Sequence, residues 1–169
     1  ANLGNTPIEL LESRQPIEIT KYAFITNSGG PGSQRGGVAL VRGYRLLEEA
    51  AELVVRSDRR SVPPYGLGDG FPGTPSWNVI YSDGNQKLLP ACPMEAVPMK
   101  KGDEFVHYQA GAGGYGDPLN RDPKKVLRDT MNELFSLDYA AEVYGVIIEN
   151  DQVSSEETAK KRKILRADK

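Results

Sequence analysis

Ile17, Ile19, Lys21 and Ala23 alternate with Glu18, Thr20, Tyr22 and Phe24, a two-residue period that predicts a strand with apolar character on both faces. Residues 1–16 before it are polar and predict irregular chain. After the loop 27–37, residues 38–47 and 50–56 predict two strands joined at Glu48-Glu49. A helix across 45–56 is the rival, because Leu46, Leu47, Ala50 and Leu53 also fit its period. Residues 77–81 and 86–89, separated by Ser82-Asp83-Gly84-Asn85, predict a hairpin. A further strand is expected over 104–109, entered through the turn Lys101-Gly102-Asp103.

The period changes after Asp122. Val126, Leu127, Met131, Leu134 and Phe135 share one helical face, opposite Lys124, Lys125, Arg128 and Glu133. Asp122-Pro123 supplies its N-cap and first residue. Ser136 caps a second short helix that ends at Gly145. Ser154 and Glu157 form a capping box for a last helix. Its final turns carry Lys160, Lys161, Arg162, Lys163 and Arg166, which suit the negative end of the helix dipole and read as a solvated face. The fold class is therefore α+β. A β-rich body with glycine/proline-rich loops spans 1–120 and a C-terminal helical appendage spans 121–169, together one compact unit within a larger assembly.

Composition narrows the function. With 169 residues, 38% hydrophobic content, 18 glycines and 12 prolines, the chain can bury a core but is poor in apolar surface, so another chain or domain is expected to complete it. A net charge of −2 gives no reason to expect a nucleic acid. No apolar run approaches the length of a membrane span. The start, Ala1-Asn2-Leu3-Gly4-Asn5, lacks both a signal peptide's features and an initiator Met, so a processed or truncated product that continues upstream is expected. The single Cys92 excludes internal disulfides and points to a reducing, cytoplasmic setting. Between Ala91 and Pro93 it reads as a small buried hydrophobe.

The most informative stretch is Gly111-Ala112-Gly113-Gly114-Tyr115-Gly116-Asp117-Pro118. Its glycines let the backbone lie against another surface, Tyr115 stands on that platform, and Asp117-Pro118 forces a turn behind it. The spacing Gly111-x-Gly113-x-x-Gly116 formally matches the dinucleotide fingerprint, but that motif needs a helix to open within it, and here the helix opens only near Pro123. Similarly, the loop 28–37 lacks the Gly-Lys-Ser/Thr ending of a phosphate loop. Arg35 within it can either present a fork to a carboxylate or phosphate, or brace backbone carbonyls. Arg59 and Arg60 can orient an anionic group, pair with nearby carboxylates or bridge to another chain. His107, the only histidine, has no companions for a zinc site and reads as a hydrogen-bonded structural residue.

Taken in order, Asn5-Thr6-Pro7-Ile8-Glu9, Glu12-Ser13, Ser28-Gly29-Gly30, Gly32 and Arg35-Gly36-Gly37 resemble the hydantoinase B/5-oxoprolinase family. Asp58-Arg59-Arg60, Pro64-Tyr65-Gly66-Leu67-Gly68, Gly73, Lys101-Gly102-Asp103, residues 113–118, Arg121-Asp122-Pro123 and Tyr144-Gly145-Val146 continue the series. Ala112 and Ser57 depart from it, where glycine and glutamate are expected. The resemblance implies the C-terminal portion of a larger protein that acts in ATP-dependent opening of cyclic amides, or in ATP-dependent carboxylation of acetone or acetophenone. A non-catalytic assembly module of either complex is the remaining alternative. It also implies partners: a larger A-type subunit that binds ATP and phosphorylates the small-molecule substrate, and the remaining B-type portion. ATP and a divalent metal are expected in the partner or upstream, with none bound by this chain. No catalytic residue is assigned. Arg35, Arg59, Arg60, Gly113, Gly114, Tyr115 and Asp117 are the candidates for contact with substrate or partner subunit.

Overall fold

The computed structural model describes residues 4–167. Contacts divide the chain into two compact units, each assembled from separated stretches. The first takes in residues up to 23, 41–60 and 76–109; the second takes in 24–40, 61–75 and 110 onward.

In the first unit a five-stranded antiparallel sheet runs in the order β1 (Ile17–Phe24), β2 (Leu40–Leu46), β7 (Glu104–Tyr108), β4 (Trp77–Ser82), β5 (Asn85–Leu89). Val106, wholly buried, sits between Gly43 of β2 and Val79 of β4. The β4–β5 hairpin closes through Asp83 and Gly84, both with positive φ (50° and 74°), as an Asp-Gly hairpin turn requires. A separate antiparallel pair joins β3 (Ala50–Leu53) to β6 (Val97–Lys100). The core of this unit is Leu46, Val55, Ile80, Leu89, Met99 and Phe105, with Tyr44 stacked on Phe105 at 6.4 Å.

The second unit carries the helices. Asp122 accepts the Lys124 N–H and starts α2 (Pro123–Met131), and Ser136 accepts the Tyr139 N–H and starts α3 (Leu137–Val143). Gly145 follows α3 at φ 61°, the left-handed position a helix end favours. The short pair β8 (Ile148–Glu149) and β9 (Gln152–Val153) leads into α4 (Ser155–Ala167). Val126, Phe135, Ala140, Tyr144 and Val146 form its core, with Phe135 and Tyr144 stacked at 4.9 Å.

The architecture is α+β with a β-rich body and a C-terminal helix, as the residue pattern implied. The two strands expected on either side of Glu48-Glu49 form, β3 pairing with β6, and the rival helix over 45–56 does not. Three local expectations need correction. Residues Ile8–Arg14 form a helix, α1, although none of its side chains is buried; the polar composition hid it. The apolar face expected to run from Val126 to Phe135 breaks at Met131, where α2 ends and the side chain is exposed. Cys92 is exposed, since the segment 90–96 is a surface turn.

Candidate functional site

Three glycine-rich segments of the second unit, 28–37, 64–74 and 111–116, lie against one another through their backbones. Segment 111–116 bonds to both others. The Gly30 N–H donates to the Ala112 carbonyl (2.8 Å) and Ala112 N–H to the Gly37 carbonyl (2.9 Å). On the other side Gly114 N–H donates to the Phe71 carbonyl (2.9 Å) and Leu67 N–H to the Gly114 carbonyl (2.9 Å). Tyr115 exchanges two backbone bonds with Gln34, at 2.8 and 3.0 Å. A Cβ on Gly36 would fall 1.9 Å from the Ala112 carbonyl oxygen, and one on Gly111 would fall 1.8 Å from that of Ser28. Only glycine permits that approach. The result is a sheet-like web with almost no side chains inside it.

From this web Tyr115 projects into solvent, 61% exposed. Behind it Asp117 accepts the Leu119 N–H (2.9 Å) and opens a 3-10 turn at Pro118–Asn120. Gly113 lies against the Tyr65 carbonyl and Gly114 against that of Pro31, so both serve the close packing.

The web is held to the helices by ion pairs. Arg35 meets Asp129 through two bonds, Nε to Oδ2 at 3.1 Å and Nη2 to Oδ1 at 3.3 Å, while its Nη1 donates to the Gly36 carbonyl. Arg121 donates to the same Asp129 Oδ2 (2.7 Å) and to the Ser33 carbonyl (3.0 Å). Arg35 thus braces its own chain, forking onto the Asp129 carboxylate and holding the Gly36 carbonyl. Asp129, which the sequence analysis does not single out, and Arg121, noted there only within a motif, are the supports of this arrangement. The available signal was a carboxylate three residues after Val126, on the face of α2 that turns inward.

Arg59 and Arg60 belong to the first unit. Arg59 takes φ 61°, which non-glycine residues seldom hold, and its exposed guanidinium lies 3.8 Å from Asp58. Arg60 stacks over Trp77 at 4.8 Å and donates to the Leu89 carbonyl. Close by in that unit, Asn78 donates to Ser57 (2.8 Å) and to the Pro90 carbonyl (3.1 Å), which turns its Oδ1 toward His107 Nδ1 at 2.7 Å. With the Asn78 amide in this orientation, the Nδ1–H tautomer of His107 is the one that satisfies the contact. Burial, followed by the charge of Arg42, lowers its pKa below the ordinary 6.5.

The family model of hydantoinase B/oxoprolinase matches residues 1–118. The chain belongs to the hydantoinase B/oxoprolinase family. An uncharacterized protein of Methanocaldococcus jannaschii is 35% identical over 162 residues, covering 94% of this chain and 28% of its own length. The caprolactamase subunit beta of Pseudomonas jessenii is 32% identical over 156 residues, covering 85% of this chain and 25% of its own length. The solved ATP-dependent caprolactamase of Pseudomonas jessenii superposes with a TM-score of 0.77 at 30% identity, over 94% of this chain and 28% of that one. A nucleotide-free acetone carboxylase shares the fold, with a TM-score of 0.79 at 21% identity over 96% of this chain and 26% of that one. This hydantoinase B/oxoprolinase chain thus spans about a quarter of the length of these two relatives.

Proposed function

We propose that this chain supplies part of the B-type component of an ATP-dependent enzyme that opens cyclic amides, acting on a substrate phosphorylated by a partner A-type subunit in the cytoplasm. The observation that carries the reading is the likeness to the ATP-dependent caprolactamase over 94% of the chain. The chemistry is coherent. Phosphorylation of an amide oxygen turns a poor electrophile into a carbon that water can attack, and the shaped surface must then hold the activated molecule.

Among the described residues no three His, Cys, Asp or Glu side chains come together as metal ligands, and the loop 28–37 lacks a phosphate-loop lysine. We assign ATP and the divalent metal to the partner or to the rest of the B-type component. This chain's contribution is positional. The glycine web presents Tyr115, and Arg59 presents an exposed cation, as contacts for substrate or partner. Arg35, Gly113 and Gly114 shape the surface; Arg60 fixes the segment that bears Arg59; Asp117 sets the turn behind Tyr115. Likeness in fold to acetone carboxylase supports carboxylation of a ketone as the second reading.

Co-expression with an A-type subunit and the remaining B-type portion tests both. The expected result is ATP hydrolysis that depends on added caprolactam, hydantoin or 5-oxoproline and on every component. Dependence on acetone plus bicarbonate instead would establish the second reading. ATP hydrolysis by this chain alone would refute both.

A further inference from the structure

Within the second unit, α2, β9 and the flank of α4 line an open cleft of about 780 Å³ that the amide-opening reading does not use. That volume lies in the range of small-molecule sites, about 300–1,000 Å³. Its walls include apolar Pro123, Leu127, Val153 and Ala159. Its charged lining is one-sided: Lys124, Arg162, Lys163 and Arg166 against the single carboxylate of Asp122. The chain as a whole is net negative, at −2, so this concentration of positive charge runs against the molecule's balance.

Two of the cations are held in place by neutral acceptors. Arg162 donates from Nε to the Tyr144 carbonyl (3.1 Å) and from Nη2 to the Arg121 carbonyl (2.6 Å). Arg166 donates from Nη2 to Asn120 Oδ1 (3.0 Å). These acceptors are neutral, and they leave the other guanidinium donors for a ligand. Burial and then the neighbouring charge of Arg166 lower the Arg162 pKa, opposed by Asp117 and Asp122. Asp122 is itself engaged, accepting the Lys124 N–H at 2.9 Å.

We infer that this cleft binds a small molecule that carries a phosphate group on an apolar body. The guanidinium donors not used on the protein match phosphate oxygens, the exposed Lys124 and Lys163 add point charge, and the apolar wall takes the remainder. The site is separate from the web that bears Tyr115 in its lining and in its chemistry.

Calorimetry of the full chain with phenyl phosphate and with inorganic phosphate tests the inference without partners, ATP or amide substrate. Its failure would therefore leave the proposed function untouched. Phenyl phosphate should bind at least ten-fold tighter than inorganic phosphate and weaken as salt rises. The double variant K124E/K163E alters exposed side chains and should retain the wild-type urea midpoint while binding at least ten-fold more weakly. Millimolar or weaker binding of phenyl phosphate would overturn the site. Equal binding of the two anions, or unchanged affinity in the folded double variant, would overturn it as well.

Discussion

Asp129 is the residue on which the second unit's electrostatics turn. It is 2% exposed and accepts from Arg35 and Arg121, one of which is nearly as buried as itself. Removing the charge leaves two guanidiniums facing a neutral amide inside the protein, and breaking a buried pair costs about 3–5 kcal/mol. Asp129→Asn should lower the urea midpoint accordingly, and a loss below 1 kcal/mol would show that the arginines find other acceptors. His107 makes a pH-dependent contribution. Its folded pKa lies below the ordinary 6.5, so on acidification the unfolded chain takes up a proton that the folded imidazole refuses. Stability from this group is present above 6.5 and declines as the pH falls. His107→Gln, which keeps a donor toward Asn78, should flatten the change in urea midpoint between pH 7.5 and 5. The helical period places Asp129 on the inward face of α2 but does not reveal its pairing, because a lone carboxylate on an amphipathic helix is read as solvated until its partners, 94 and 8 residues away, are known.

Elements with a strong local code were legible. The Asp83-Gly84 turn, the caps Asp122 and Ser136, and Gly145 after α3 each act through neighbours in sequence. Elements decided by distant partners were not: α1 has no buried face to betray it, and β3 takes its register from β6, some 45 residues on. Ser136 combines both kinds of contact. Its hydroxyl accepts the Tyr139 N–H (3.2 Å) and the Asn27 amide (3.0 Å), and its own N–H donates to Asn27 Oδ1 (2.9 Å). Ser136→Ala should destabilise by about 1–2 kcal/mol, the upper part of the range for a lost cap, measured by thermal or urea unfolding. The web is less forgiving. Gly111→Ala places a methyl 1.8 Å from the Ser28 carbonyl oxygen, so its cost should exceed the roughly 1–3 kcal/mol of ordinary overpacking. Near-wild-type stability of that variant would mean the segments can part at little expense.

Taken whole, the chain is a member of its family that covers about a quarter of its relatives' length, and its candidate contacts are distributed over both units. The family resemblance was legible as an ordered set of short motifs, and half of those motifs lie in the web: Gly29, Gly30, Gly32, Gly36, Gly66 and Gly113 all meet another backbone. What the motifs could not tell was which residues face outward, since a glycine pattern records contact and not exposure. Arg59 and Arg60 separate the two roles. Arg59→Ala removes an exposed side chain and should change stability by less than about 0.5 kcal/mol while lowering turnover or assembly of the reconstituted complex. Arg60→Ala removes the stack on Trp77 and should cost stability first. Unaltered assembly and turnover with Arg59→Ala would remove that residue from the contact surface.

Because the three glycine strips touch main chain to main chain, they cannot be edited one position at a time. A protein engineer retargeting this scaffold would have to transplant all three strips as a set. Novelty is better sought in the outward side chains, of which Tyr65, Leu67 and Tyr115 offer the widest choice.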